Sequence, residues 1–166
     1  AKAITSGYFP LGAALINERI ATAFESDSSG NAAIGHGYTY SGHPVGAAAA
    51  LAAIAETRRL DVVTNAAARG TQLYDGMVSL AGKYPVVGDV RGGHGLMTAM
   101  ELVADQETKA PIDGKLAIKM QKAAYQAGAL IRVSGPNVIL SPSLVIEEAD
   151  IDIALNAVEE GLKAIS

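Results

Sequence analysis

A lone amine, Lys2, stands ahead of Ile4-Thr5-Ser6-Gly7-Tyr8-Phe9-Pro10-Leu11-Gly12, a turn punctuated by glycine and proline that leads into an apolar run. A lysine held at a strand end with its stem desolvated loses part of its preference for the ammonium form, and its neutral nitrogen attacks carbonyls. Arg132 lies at the end of an expected strand and precedes the Gly135-Pro136 turn. Its planar fork matches a carboxylate through two parallel hydrogen bonds. Each group also has an ordinary reading. Lys2 can be a solvated charge, Arg132 a surface ion pair, and Thr39, Ser41 and His43 caps and turns ahead of Pro44. Tyr8 and Tyr38 suit a pocket wall or a core alike. Arg91 and His94 read as structural, with Arg91 pairing with acids at a domain junction, and His36 and His43 show no metal-ligand spacing, so no metal is expected.

Three separated segments narrow these alternatives. Lys2-x-Ile4-Thr5-Ser6-Gly7-Tyr8-x-Pro10-Leu11-Gly12, then Gly37-Tyr38-Thr39-Tyr40-Ser41-Gly42-His43-Pro44-Val45, then Ile131-Arg132-x-x-Gly135 with Ile139-Leu140-Ser141-Pro142-Ser143-Leu144 follow one another in order. Together they resemble the class III, pyridoxal-phosphate-dependent aminotransferases, in particular the omega-amino-acid or amine:pyruvate branch. Three motifs in register are far more specific than any single glycine pattern.

The resemblance implies an α/β chain of the fold-type I PLP-dependent transferases. Residues 1–60 would close the large cofactor-binding domain, and residues 61–166 would form the small α+β C-terminal domain. It makes Lys2 the Schiff-base lysine for pyridoxal 5'-phosphate and the catalytic base. Thr39 becomes a ligand of the cofactor phosphate in the neighbouring subunit, hence a homodimer. Arg132 receives the substrate carboxylate and swings away when there is none, while Tyr38 and Tyr8 line the pocket. The implied reaction is ping-pong transfer of an amino group from an omega-amino acid or amine to a keto acid such as pyruvate, in the cytoplasm. In the spacing from Arg91 to Gly95 the chain is one residue longer than the family pattern. The rival readings are a class III decarboxylase or aminomutase and a non-catalytic dimerisation module.

The family needs a chain more than twice as long, so these 166 residues are expected to be its C-terminal part, inactive alone. The aspartate for the pyridine nitrogen, the glycine-serine phosphate cradle and the ring stacked on the cofactor would precede Lys2. Apolar residues make up 49% of the chain with two Phe and no Trp, which predicts a core of Ala, Val, Ile and Leu. A net charge of −4, without basic clusters among aromatics, argues against nucleic acid as a partner. The absence of cysteine excludes disulfides and thiolate metal sites. No apolar run is long enough to span a bilayer, and the start lacks the features of a secretory signal.

Periodicity supplies the scaffold. It predicts a buried strand over Leu11 to Ile16, a short helix over Glu18 to Phe24, an exposed loop over 26–31, and a helix over Pro44 to Arg58 buried on most sides. Asp61 should cap a helix with the stripe Val63, Ala66, Gly70, Leu73, Met77 and Leu80, ended by Tyr84-Pro85. Residues 86–103 read as extended, with Leu96, Thr98, Met100 and Leu102 on one side. Asp113 should cap a helix carrying Leu116, Met120, Ala123 and Ala127 and closed by Gly128. Strands over Ala129 to Val133 and Val138 to Leu140 and a final amphipathic helix over Glu147 to Ile165 complete the chain.

Overall fold

The computed structural model describes residues 3–32, 35 and 37–166; Lys2 and His36 lie outside the described residues. The chain divides into two compact units, Ala1–Leu60 and Asp61–Ser166.

The first unit holds α1 (Glu18–Glu25) and α2 (Pro44–Arg59). Asn17 caps α1, its side-chain oxygen accepting from the Ile20 amide at 3.1 Å. The expected strand over Leu11 to Ile16 is absent: these residues pair with no strand among the described residues, and Leu15 is 91% exposed. An apolar run becomes a buried strand only where neighbours satisfy its backbone on both edges. The helix over Pro44 to Arg58 is present, yet within it only Gly46 and Ala50 are buried, and Leu51 is 71% exposed, because its unit supplies no second layer over it.

The segment after Lys2 is closed by Thr5. Its hydroxyl, on a residue only 1% exposed, donates to the Phe9 carbonyl and accepts from the Phe9 amide at 3.3 Å. Ser6 and Gly7 both have positive φ, 50° and 85°, and the Tyr8 amide returns to the Thr5 carbonyl at 3.0 Å. Positive φ at both central residues is the mirror-image turn that favours glycine, and it explains Gly7. Phe9 then lies over the start of α2. A Cβ on Gly46 would sit 2.9 Å from the Phe9 ring, whose centroid is 5.1 Å from that of His43.

The second unit is two-layered. Strands β1 (Val87–Arg91), β2 (Thr98–Leu102), β3 (Arg132–Ser134) and β4 (Asn137–Leu140) form an antiparallel sheet in the order β1-β2-β4-β3. Helices α3 (Val62–Lys83), α4 (Gly114–Gln126) and α5 (Glu148–Lys163) cover one face. Leu73, Met77 and Leu80 of α3, Met120 of α4, and Ile151, Val158 and Leu162 of α5 meet Met100, Leu102, Val138 and Leu140 of the sheet in one apolar core. The alternation over Leu96, Thr98, Met100 and Leu102 is inward as expected, but residues 86–103 are a hairpin that turns through the glycines at 92, 93 and 95.

Helix ends follow local chemistry. The Asp113 carboxylate accepts from the Lys115 amide at 2.9 Å, and the Glu147 amide donates to Asp150 at 3.3 Å at the start of α5. Asp61 occupies the position before α3 but has φ 46° and caps no backbone amide; it accepts the Thr64 hydroxyl instead. With that turn Val62 faces the core and Val63 is 75% exposed. In α4 the inward stripe is Ala117, Met120 and Ala124, one residue on from the expected Leu116 and Ala123. Ala129 to Ile131 lie before β3, which begins at Arg132.

Two substitution tests follow from this packing. A Cβ on Gly70 would fall 2.3 Å from the Gly95 carbonyl oxygen, whereas one on Gly82, in the same helix, meets nothing within 4 Å. Gly70→Ala is expected to destabilise the full-length protein by about 1–3 kcal/mol, and Gly82→Ala to stabilise it by about 0.5–1 kcal/mol, both read by chemical denaturation. Thr5→Val removes both side-chain bonds to Phe9 and should speed hydrogen exchange of the Phe9 amide about tenfold, read by NMR or mass spectrometry.

Candidate active site

Of the site residues expected from the sequence, the first unit carries Tyr8, Tyr38 and Thr39, and the second carries Arg132; Lys2 lies outside the described residues. Tyr38 and Thr39 share one turn. The Ser41 hydroxyl accepts from the Tyr38 amide at 3.1 Å, the Ser41 amide donates to the Tyr38 carbonyl at 2.9 Å, and the His43 amide donates to the Tyr40 carbonyl at 3.2 Å. Gly42, with φ 70°, lets the chain enter α2. His43 finishes the join: its Nδ1 accepts from the Val45 amide at 3.2 Å, and its ring meets Tyr40 edge-on at 5.6 Å. His43 is thus both helix cap and aromatic partner of Phe9.

Phe9, Gly46 and His43 therefore join the segment that follows Lys2 to the turn that carries Thr39. These were not singled out by sequence reasoning as a unit. The visible signal was the pairing of an aromatic before Pro10 with a glycine two residues after Pro44, which a contact of ring on backbone requires. Tyr8 is 88% and Tyr38 is 72% exposed, so neither is a core aromatic in this chain. Tyr8 projects from the turn that holds Ser6, Gly7, Phe9 and Pro10 around an open recess.

The turn suits a phosphate. Thr39 is exposed, and its hydroxyl and amide meet no acceptor among the described residues, so both donors are available to an anion at the beginning of α2. Nothing in this donor set opposes a phosphate group: no carboxylate side chain belongs to residues 37–47.

Arg132 opens the edge strand β3 and is exposed. It pairs in register with Ile139, which places it on the face of the sheet opposite the helices. Its side chain makes no ion pair or hydrogen bond among the described residues. A cavity of about 230 Å³ beside it is walled by Leu73, Ile131, Ile151 and Ala154 and reaches Ser141 and Pro142. The loop after β4 is tied down by Asn65, whose side-chain amide donates to the carbonyls of Leu144 at 2.8 Å and Ile146 at 3.0 Å. Arg91 pairs with acids as expected, but its partners lie within the sheet: Asp89 at 2.9 Å, Glu101 at 2.7 Å and the Asn137 side-chain Oδ1 at 2.6 Å. Hydrogen bonds to Glu101, then to Asp89, hold its guanidinium further in the charged form than usual.

Comparison with known proteins gives these features a setting. An amine transaminase from an uncultivated Pseudomonas species, crystallised in its PLP-bound form, is 41% identical, superposes with a TM-score of 0.90, and is matched over 98% of this chain and 37% of that one. The aminotransferase y4uB of Sinorhizobium fredii is 36% identical over 99% of this chain and 36% of its own length. The taurine–pyruvate aminotransferase of Bilophila wadsworthia is 34% identical over 99% of this chain and 38% of its own. The chain thus spans little more than a third of the relatives it matches. The fold is that of the PLP-dependent transaminases, and pyridoxal phosphate is the cofactor that this relationship implies. Among the described residues no helix is long and apolar enough to cross a membrane. The family pattern of the class-III aminotransferases runs through residues 1–162, and the chain belongs to that family.

Proposed function

We propose that the full-length protein is an amine or omega-amino-acid transaminase, acting as a cytoplasmic homodimer, to which this chain contributes the C-terminal part. Residues 1–60 end its large cofactor-binding domain, and residues 61–166 are its small domain. The observation that carries the reading is the family match over residues 1–162, which takes in all three motif segments. The similarity to a taurine–pyruvate aminotransferase and to an amine transaminase supports an amine donor and pyruvate as the acceptor.

Pyridoxal phosphate, when bound, supplies an aldehyde that condenses with amines and a ring that accepts the electrons of a carbanion. Lys2 Nζ would hold the cofactor through that aldehyde and, once released by the substrate amine, would serve in its neutral form as the base for the proton on the amine-bearing carbon. The Gly7 turn and the Thr5 bonds to Phe9 give residues 5–9 a fixed path. The Thr39 hydroxyl and amide would donate to the cofactor phosphate in the neighbouring subunit. The Arg132 fork binds the carboxylate of the keto acid and moves off when an amine lacks one. Tyr8 and Tyr38 wall the pocket with their rings.

Each role has a distinct kinetic signature in the full-length enzyme. Lys2→Ala should lower the rate of both half-reactions by at least about a thousandfold, followed by stopped-flow absorbance of the cofactor, while the protein stays folded by circular dichroism. Arg132→Ala should weaken the pyruvate half-reaction about a hundredfold and leave the half-reaction with a carboxylate-free amine within about twofold of the parent. Equal losses in the two half-reactions, measured by single turnover, would remove Arg132 from carboxylate binding.

A further inference from the structure

The outer face of the sheet carries four charges in two rows. Arg91 faces Ala99, Ala99 faces Ile139, and Ile139 faces Arg132, so one row crosses all four strands. The adjacent row is Asp89, Glu101, Asn137 and Ser134. Two arginines and two acids thus share one face, and their formal charges cancel, but the pairing is uneven. Arg91 engages both acids, through Nη1 to Asp89 and Glu101, and donates from Nη2 to Asn137. Arg132 engages neither.

We propose that Arg91 is a positioning residue for carboxylate binding: it retains Glu101 so that the second arginine of the face, Arg132, stays open to the substrate. The inference rests on the reading of Arg132 as the carboxylate ligand. Glu101 is the acid that matters. It stands two strands and one row from Arg132, roughly 12 Å between Cα atoms from strand spacing and rise, a gap that two long side chains close. Asp89 is a strand farther away with a shorter side chain. Between them stand only Ala99, too short to intervene, together with Ile139 and Asn137. Arg91 occupies Glu101 while reaching two further acceptors, on Asp89 and Asn137, from two guanidinium nitrogens, a spread that a single ammonium nitrogen lacks. The Asn137 side chain is itself turned toward Arg91, its Oδ1 accepting at 2.6 Å. A released Glu101 would compete with the substrate carboxylate for the same cation.

The test uses the full-length enzyme with its cofactor, pyruvate as the carboxylate probe and 2-aminobutane as the carboxylate-free amine. Arg91→Ala should weaken pyruvate binding about fivefold, the scale of one partly exposed ion pair, and leave the amine half-reaction unchanged. Adding Glu101→Gln, which removes the released charge, should restore pyruvate binding to within about twofold of the parent. Arg91→Gln, which keeps a hydrogen-bond donor for Asn137 but no charge, should behave as Arg91→Ala does and serves if that variant folds poorly. A pyruvate defect that persists in the double variant, or a defect of equal size with both substrates, overturns the proposal and makes Arg91 a purely structural residue. A parallel Arg132→Ala variant separates the two levels: normal pyruvate binding there defeats the underlying reading, and the proposal with it.

Discussion

The register of β3 on β4 decides which residues of the second unit face away from the core. Arg132 opposes Ile139, Val133 opposes Val138, and Ser134 opposes Asn137. Val138 is fully buried, so Val133 turns to the helices and Arg132 to the other side. A slip of one residue would drive a guanidinium into a core of Leu73, Met100 and Ile151, at a cost far above that of losing one apolar side chain. The core thus selects the register, and the register presents the arginine. The same alternation carries Arg91, Glu101 and Asn137 to the outer face and explains why a charge cluster can sit directly behind a dry core.

The first unit solves a different problem, the presentation of a segment with little regular structure. Thr5 bonds the backbone of Phe9 from both sides, Ser6 and Gly7 take left-handed conformations, and Phe9 rests on the backbone of Gly46 beside the His43 ring. Apolar contact and two hydrogen bonds here do what a sheet ladder does elsewhere. Proline starts α2 at the position where a missing amide costs nothing, and His43 satisfies the next one.

Much of the second unit was legible because its signals were periodic: an alternating run at Leu96 to Leu102, an i, i+3, i+4 stripe in α3 and α5, and an aspartate ahead of α4. Errors arose where a local rule lacked its tertiary condition. The apolar residues 11–16 met no partner strand among the described residues, and the left-handed Asp61 shifted the start of the α3 stripe from Val63 to Val62. The proposed site rests on motif, through Lys2, Thr39 and Arg132, and its geometry was not legible in the sequence. The Phe9–His43–Gly46 contact joins residues more than thirty positions apart, and the Arg91 cluster depends on two strand pairings that spacing alone does not reveal.

The account turns on the chemistry of a single nitrogen, Lys2 Nζ, and borohydride reduction of the full-length protein reads it directly. Reduction followed by peptide mapping should place a pyridoxyl mass on the peptide containing Lys2 and on no other lysine. A label found elsewhere, or an unlabelled Lys2 in protein that holds its cofactor, would contradict the account.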